Sequence, residues 1–211
     1  MRIGVVADTH VSEQLPRLPR EVLDLLEGVD LILHAGDISE PAVLDELGEL
    51  APVIAVRGNH DDVPGLRHLP RDAVVRAGDA RIGLTHGSRR TAVELPAGLL
   101  SLVAGRPVLL GFATTMARRF RDVDCVVVGH LHMPIDTVMD GVRVFSPGAV
   151  YVPELGAASE PRGVRGWAYR RYRGGLSPAA RLPGVGLIET GPEGLTTRRL
   201  MLERPFALTR R

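Results

Sequence analysis

Short apolar runs, mostly β-branched, repeatedly precede a polar cluster that contains Asp or His. Five runs show this pattern: RIGVVA before DTH, DLIL before HAGD, PVIAV before RGNHD, ARIGL before THG, and DCVVV before GHLH. Runs of four to six apolar residues bounded by Gly, Asp or His predict buried strands. Strands that are apolar on both faces are typical of a sheet covered on both sides by other layers.

Helical patterns separate the first three predicted strands. PREVLDLLEG begins with a proline suited to a first helical turn and ends at a glycine, and SEPAVLDELGEL offers Ser39 as an N-cap. The order strand, helix, strand, helix, strand indicates parallel βαβ units. Ligand sites in such sheets lie beyond the carboxyl ends of the strands, which is where the polar clusters fall.

The second half of the chain predicts antiparallel strands. Asp140-Gly141 lies between alternating runs, and GPEG separates two further runs near 183–203, so each marks a hairpin. We therefore predict one α/β domain over residues 1–211, with a two-sheet core, helices outside it, and two additions near 88–121 and 153–182. For the first addition we expect an amphipathic helix pair packed on the core; the alternatives are a substrate entrance, a subunit contact or a membrane-surface contact. For the second we expect a solvated loop with one anchored aromatic residue, and base stacking is the alternative.

Composition excludes several chemistries. The net charge of +1 gives no general attraction to nucleic acid or to anionic membranes, so neither is an expected partner. All 26 Lys+Arg positions are arginine, which excludes Schiff-base and P-loop lysines. The single cysteine, Cys125, lies in an apolar run where we expect a buried side chain, and it excludes thiolate metal clusters. The chain lacks a signal-peptide pattern and a membrane-length apolar run, so we expect a cytoplasmic protein.

Most histidines fall at or just after the predicted strand ends. Six of the seven do so, namely His10, His34, His60, His86, His130 and His132, while His68 lies in a predicted surface loop. Asp8, Asp37 and Asn59, the only asparagine, add oxygen donors, which makes the set large enough for two metals. In D-x-H and H-x-H the outer side chains would face the same way in an extended strand. Imidazoles and carboxylates without sulfur suit Mn, Fe, Zn, Ni or Co.

The motifs DTH, GD, GNHD, THG and GHLH, in this order, resemble the signature of the calcineurin-like metallophosphoesterase superfamily, and their spacing resembles its small YfcE-like phosphodiesterase branch. The resemblance implies a four-layer α/β/β/α sandwich of two mixed β-sheets flanked by helices, with a dinuclear metal centre. It assigns Asp8, His10 and His132 to the first metal, Asp37 to a bridging position, and Asn59, His86 and His130 to the second metal. It makes His60 the acid or electrostatic stabiliser near the phosphate, oriented by Asp61, and it leaves His34 as a packing residue.

The implied activity is that of a metal-dependent phosphodiesterase acting on a small phosphoester. Two divalent ions, manganese first and iron, zinc, nickel or cobalt as alternatives, would be bridged by a hydroxide that acts as the nucleophile. The alternatives are a phosphomonoesterase of nucleotides or phosphoproteins and a non-catalytic scaffold, since the superfamily also includes a retromer scaffold subunit. Many YfcE-like relatives carry cysteine where this chain has His60, which weakens the branch assignment. Homo-oligomer formation stays open.

Overall fold

The computed structural model describes residues 1–13, 15–150 and 163–202, with side chains from 166 onward in the last range. Its strands are β1 Arg2–Val6, β2 Leu31–His34, β3 Val53–Ala55, β4 Asp72–Ala77, β5 Ala80–Thr85, β6 Cys125–Val127, β7 Pro134–Met139, β8 Val142–Pro147, β9 Gly184–Gly191 and β10 Gly194–Met201. Its helices are α1 Arg20–Leu25, α2 Ala42–Gly48, α3 Thr91–Ala104, α4 Phe112–Ala117, α5 Gly163–Gly174 and α6 Pro178–Arg181.

The strands form two mixed five-stranded sheets. The first has the order β10-β9-β1-β2-β3, in which β1, β2 and β3 are parallel and β9 runs antiparallel to its neighbours. The second has the order β4-β5-β6-β8-β7, in which β5, β6 and β8 are parallel. Both predicted βαβ units are therefore present, and the predicted two-sheet α/β architecture is confirmed.

Three apolar clusters separate the four layers. Because successive residues of a strand point to opposite faces, Val6 packs on the α1 and α2 side of the first sheet and Val5 packs between the sheets. The cluster between the sheets joins Val5 and Leu33 of the first sheet to Ile82 of the second. The third cluster packs α4 onto β6 and β8. Burial on both faces explains why the central strands read as continuous apolar runs.

Both predicted hairpins are confirmed. Asp140 and Gly141, with φ of 53° and 81°, form the tight turn between β7 and β8, as a two-residue hairpin loop requires. The GPEG turn joins β9 to β10. The predicted capping role of Ser39 is wrong: α2 begins at Ala42 after Pro41, and Ser39 lies in the preceding loop with φ of 67°.

The first addition forms two helices, α3 and α4, as predicted. Only α4 packs on the core; α3 leaves Leu95, Leu99 and Val103 exposed, so the expectation that both helices pack there is wrong for α3. The prediction of a solvated loop for the second addition is wrong for residues 163–174, which form α5, whereas residues 153–162 lie outside the described residues. Tyr172 anchors α5 by donating a hydrogen bond from its hydroxyl to the Leu131 carbonyl at 3.1 Å. Among the helices described, none combines the length and the apolar character that a membrane crossing requires.

Candidate metal centre

The polar clusters that follow five strands meet at one edge of the two sheets. The loops after β1, β2 and β3 come from the first sheet, and those after β5 and β6 come from the second. These strands are parallel to one another within each sheet, so their carboxyl ends face the same edge. The seven side chains predicted as metal ligands lie in these loops: Asp8, His10, Asp37, Asn59, His86, His130 and His132.

Four of these side chains form a first donor set. Asp8, His10, Asp37 and His132 each place one donor atom within 4.8 Å of the others. The Nε2 atoms of His10 and His132 are 3.2 Å apart, and Asp8 Oδ1 lies 3.5 Å from His132 Nε2. Two imidazoles and two carboxylates that converge in this way suit one divalent cation.

A second donor set lies beside the first and centres on the amide oxygen of Asn59. Asn59 Oδ1 is 3.0 Å from His86 Nε2 and 3.1 Å from His130 Nδ1. Asp37 Oδ2 is 3.3 Å from His86 Nε2 and 3.6 Å from His10 Nε2. One carboxylate oxygen of Asp37 therefore lies between the two donor sets. The second set gains a neutral oxygen donor from Asn59, next to a carboxylate that is already shared.

Burial of several ionisable groups at this edge carries a desolvation cost, which shifts their pKa values. It raises the pKa of Asp8 to about 8 despite the opposing charge of His86, and it lowers the pKa of His10 and, more strongly, that of His132. Burial alone would also raise the pKa of Asp37, but the hydrogen bond and charge of His86, together with the charge of His10 and the backbone N–H of His60, leave that pKa below its ordinary value. Imidazoles and buried carboxyl groups are donors that divalent cations bind after displacing any protons they carry, so the donor chemistry of these residues fits divalent cations.

The loops that carry the predicted ligands hold several residues at positive φ, a backbone conformation that residues other than glycine rarely adopt. Five of the predicted ligands have φ between 46° and 70°: Asp8, His10, Asp37, His130 and His132. Each such residue costs about 1–3 kcal/mol and persists where surrounding contacts fix it. The expectation that the D-x-H and H-x-H pairs lie in extended strands is therefore wrong, because β1 ends at Val6 and β6 at Val127. Gly58 is required here, since a Cβ would lie 2.1 Å from Asp37 Oδ1.

Each histidine of the two donor sets has a partner for its outer ring nitrogen. These partners are the Ala35 carbonyl for His86 at 2.9 Å, Glu13 for His10 at 3.3 Å, the Tyr169 hydroxyl for His132 at 3.1 Å and Glu94 for His130 at 3.5 Å. Such partners fix the tautomer and raise ligand basicity. The sequence analysis missed Glu13, Glu94 and Tyr169. Only Glu13, three residues after His10, carries a local signal; the other two reach the site through α3 and α5.

Asp61 organises the backbone around the site. Both carboxylate oxygens are occupied by backbone N–H groups, donated by Asp37, Ile38, Ser39 and Gly58 at 2.7–2.9 Å. Asp61 therefore does not orient the ring of His60, contrary to the sequence-based expectation. Glu13 takes that position instead, with its Oε2 at 2.8 Å from His60 Nδ1. The His60 ring is half-exposed and packs edge-on against His10, with ring centroids 4.8 Å apart.

Two other histidines and the cysteine lie outside the donor sets, as the sequence indicated. His34 is buried, where its Nδ1 accepts a hydrogen bond from Gly36 N–H at 3.2 Å, and burial lowers its pKa to about 4. His68 is exposed. Cys125 is buried between the sheets, and burial raises the pKa of its thiol to about 12.

Comparison with known protein families agrees with this architecture. Residues 1–160 match the family model of the calcineurin-like phosphoesterase superfamily domain. The chain belongs to this superfamily. A probable metallophosphoesterase from Methanocaldococcus jannaschii is 35% identical over 156 residues, which cover 72% of this chain and 70% of that protein. Membership in a family of metal-dependent phosphoesterases follows from the sequence alone.

Solved structures of the superfamily share the fold at lower identity. An archaeal phosphodiesterase is 22% identical with a TM-score of 0.58, and the match covers 96% of this chain and all of that one. The zinc complex of Vps29 from Entamoeba histolytica is 19% identical with a TM-score of 0.60, covering 95% of this chain and 99% of that one. At these identities the likeness extends to the fold alone.

Proposed function

We propose that this protein is a two-metal phosphodiesterase whose centre is built from Asp8, His10, Asp37, Asn59, His86, His130 and His132. The position of Asp37 carries the proposal. A single carboxylate oxygen lies 3.6 Å from a donor of the first set and 3.3 Å from a donor of the second, which is where a ligand shared by two cations must lie. When bound, two divalent cations, manganese foremost, would polarise the phosphoryl oxygens and lower the pKa of a coordinated water.

The surrounding residues supply orientation and a proton. Carboxylate or carbonyl acceptors beside His10, His86 and His130 favour N–H on the outer ring nitrogen, so these donors are arranged before substrate arrives. His60 is the residue available for the leaving group, because its ring is half-exposed at the margin of the first donor set and belongs to neither set. We assign it the role of general acid or electrostatic stabiliser, with Glu13 as the residue that positions it.

Two alternatives are set against this proposal. A phosphomonoesterase would use the same centre on a terminal phosphate of a nucleotide or phosphoprotein. The other alternative is a non-catalytic scaffold, because the Vps29 structures have the same fold. The convergence of every predicted ligand, together with a half-exposed His60 ring beside the first donor set, favours an enzyme over a scaffold. The fold does not separate diesters from monoesters, so the experiment must do so.

The deciding experiment combines metal analysis with two matched substrates. Protein purified without chelator should contain two divalent ions per chain and hydrolyse bis-p-nitrophenyl phosphate faster than p-nitrophenyl phosphate. His60→Ala should lower turnover about 10²–10⁴-fold while the metal content stays at two. His68→Ala, an exposed histidine away from the donor sets, is the matched control. Full metal content without hydrolysis of either ester would favour the scaffold, and faster monoester hydrolysis would favour the phosphomonoesterase.

A further inference from the structure

A pocket of 430 Å³ opens directly beside the second donor set. Helices α3 and α5 form its walls, and the metal-centre residues His130 and His132 line its inner end. Its volume falls within the range of about 300–1,000 Å³ that small-molecule sites occupy. We propose that this pocket binds an apolar ester arm of the substrate, so that the preferred substrates are phosphodiesters carrying an alkyl chain or ring system.

The polar groups that line the pocket are already bonded to protein. Glu94 accepts from Arg89 Nε at 3.0 Å, and Arg89 also donates to the Leu109 carbonyl at 2.7 Å. Ser101 Oγ donates to the Ala97 carbonyl at 2.7 Å and accepts from Val108 N–H at 2.9 Å. These bonds already occupy Glu94 Oε1, Ser101 Oγ and part of the Arg89 guanidinium, so a polar ligand that recognised these atoms would compete with the existing bonds. An apolar ligand would leave them intact.

The remaining walls are apolar, and part of them is exposed to water. Leu95 and Leu99, one turn apart on α3, line the pocket while 61% and 55% exposed. Opposite them, the rings of Tyr169 and Tyr172 stack at 6.4 Å, and Tyr172 uses its hydroxyl on a backbone carbonyl. Covering these leucine side chains and ring faces with an alkyl or aryl group removes apolar surface from water, which favours binding.

Continuity with the metal centre identifies the occupant. A phosphoryl group bound between the donor sets lies next to His130 and His132, so one of its ester oxygens faces the inner end of the pocket. The arm attached to that oxygen then extends between α3 and α5. This step rests on the proposed function. The exposed apolar mouth of the pocket would also suit a second copy of the chain. The experiment must therefore distinguish an alkyl arm from a second copy as the occupant.

The experiment uses p-nitrophenyl alkyl phosphates with methyl, butyl, hexyl and octyl groups. If the pocket takes the alkyl arm, kcat/KM should rise about twofold to fourfold per methylene until the pocket is filled. Calorimetric titration with the matching monoalkyl phosphates gives a second readout that does not require turnover. Their Kd should fall with chain length by a similar factor per methylene.

Variants on α3 provide matched controls. Leu99→Gln lies at the pocket and should flatten the dependence on chain length, whereas Val103→Gln, 81% exposed and outside the lining, should retain it. Gly98→Leu should also flatten it by filling the space, because a Cβ at Gly98 meets no atom within 4 Å. Leucine is the better helix former by about 1 kcal/mol, so folding is not expected to suffer.

The outcomes separate this inference from the proposed function. Hydrolysis at a rate independent of chain length in the wild type would overturn the pocket assignment and leave the phosphodiesterase proposal standing. Absence of hydrolysis with chain-length-dependent binding would overturn the phosphodiesterase proposal and leave the pocket as a binding site for the alkyl group of a phosphate ester. Absence of both would overturn both. Sedimentation that shows a dimer dissociated by Leu99→Gln, with no effect of alkyl phosphates on it, would assign the pocket to a second copy and overturn the inference.

Discussion

The metal-centre edge and the wall formed by α3 and α5 are built in opposite ways. At the edge, donors lie on loops that follow strands, five predicted ligands hold positive φ, and Asp61 ties the loops after β2 and β3 together through backbone N–H groups. In the wall, side chains such as Leu99 and Val103 are largely exposed, and a Cβ at Gly98 would meet no neighbour. The positions of the donor atoms are therefore fixed by backbone geometry, whereas the exposed side chains of the wall leave room for substitution without crowding a neighbour.

Among the variants that test this comparison, Asp61→Asn is expected to have the largest effect. The amide nitrogen would face backbone donors in place of an ionised oxygen, leaving buried N–H groups unsatisfied. We expect the free energy of unfolding of the metal-free protein to fall by about 3–5 kcal/mol. Chemical denaturation in the presence of a chelator measures it.

Asp62→Asn is the control for this prediction. Asp62 is exposed and pairs with Arg67 on the surface, so its loss should change the free energy of unfolding by less than about 1 kcal/mol. Unchanged stability of Asp61→Asn with lost turnover would instead return Asp61 to the catalytic role that the sequence suggested.

The contrast also explains what could be predicted from the sequence. The strands and the metal ligands carry local signals, because an apolar run followed by Asp or His marks a strand end, and parallel strands bring their ends together. No local sequence signal marks the left-handed backbone conformation of Asp8 and His10, since aspartate and histidine also adopt the extended conformation. The loops therefore converge by a route that the spacing argument did not include.

Other features depend on tertiary contacts that lie far apart in the sequence. Helix α5 has few apolar residues, and the contacts that stabilise it, such as Tyr172 with the Leu131 carbonyl, join positions 41 residues apart. The roles of Glu94 and Tyr169 exist only because α3 and α5 pack against the site. Asp61 was assigned by adjacency to His60, but neighbours in sequence need not face each other, and Glu13 takes the position beside that ring.

A smaller effect is expected where the two regions meet at Glu94. Its carboxylate lies 3.5 Å from His130 Nε2, and the hydrogen bond with His130, more than that with Arg89, lowers the pKa of Glu94 to about 2. Glu94→Gln removes the charge that makes the imidazole a stronger donor. We expect metal affinity at one of the two sites to fall about 10–100-fold. Calorimetric titration of the metal-free protein with manganese measures it.

Two controls accompany this variant. Glu46→Gln removes an exposed charge on α2 and should leave both metal affinities unchanged. Thermal unfolding of metal-free Glu94→Gln separates the loss of the Arg89 ion pair from the effect on metal. Equal metal affinities in wild type and Glu94→Gln would show that α3 shapes only the pocket, and the two regions would then be independent.

The smallest effect is expected from Tyr169→Phe. This variant removes the hydroxyl, which contacts the metal-centre edge, and keeps the ring, which lines the pocket. The hydroxyl contacts His132 Nδ1 at 3.1 Å, whereas the ring stacks on Tyr172 in the pocket. Loss of one hydrogen bond of about 1 kcal/mol should weaken manganese binding about fivefold, while the dependence of binding on alkyl chain length is retained because the ring remains. Trp167→Phe, on the exposed side of α5, is the control for both measurements. If both metal affinity and chain-length dependence changed together, the hydroxyl and the ring would not act separately, and the division between a fixed centre and an adjustable wall would fail at this residue.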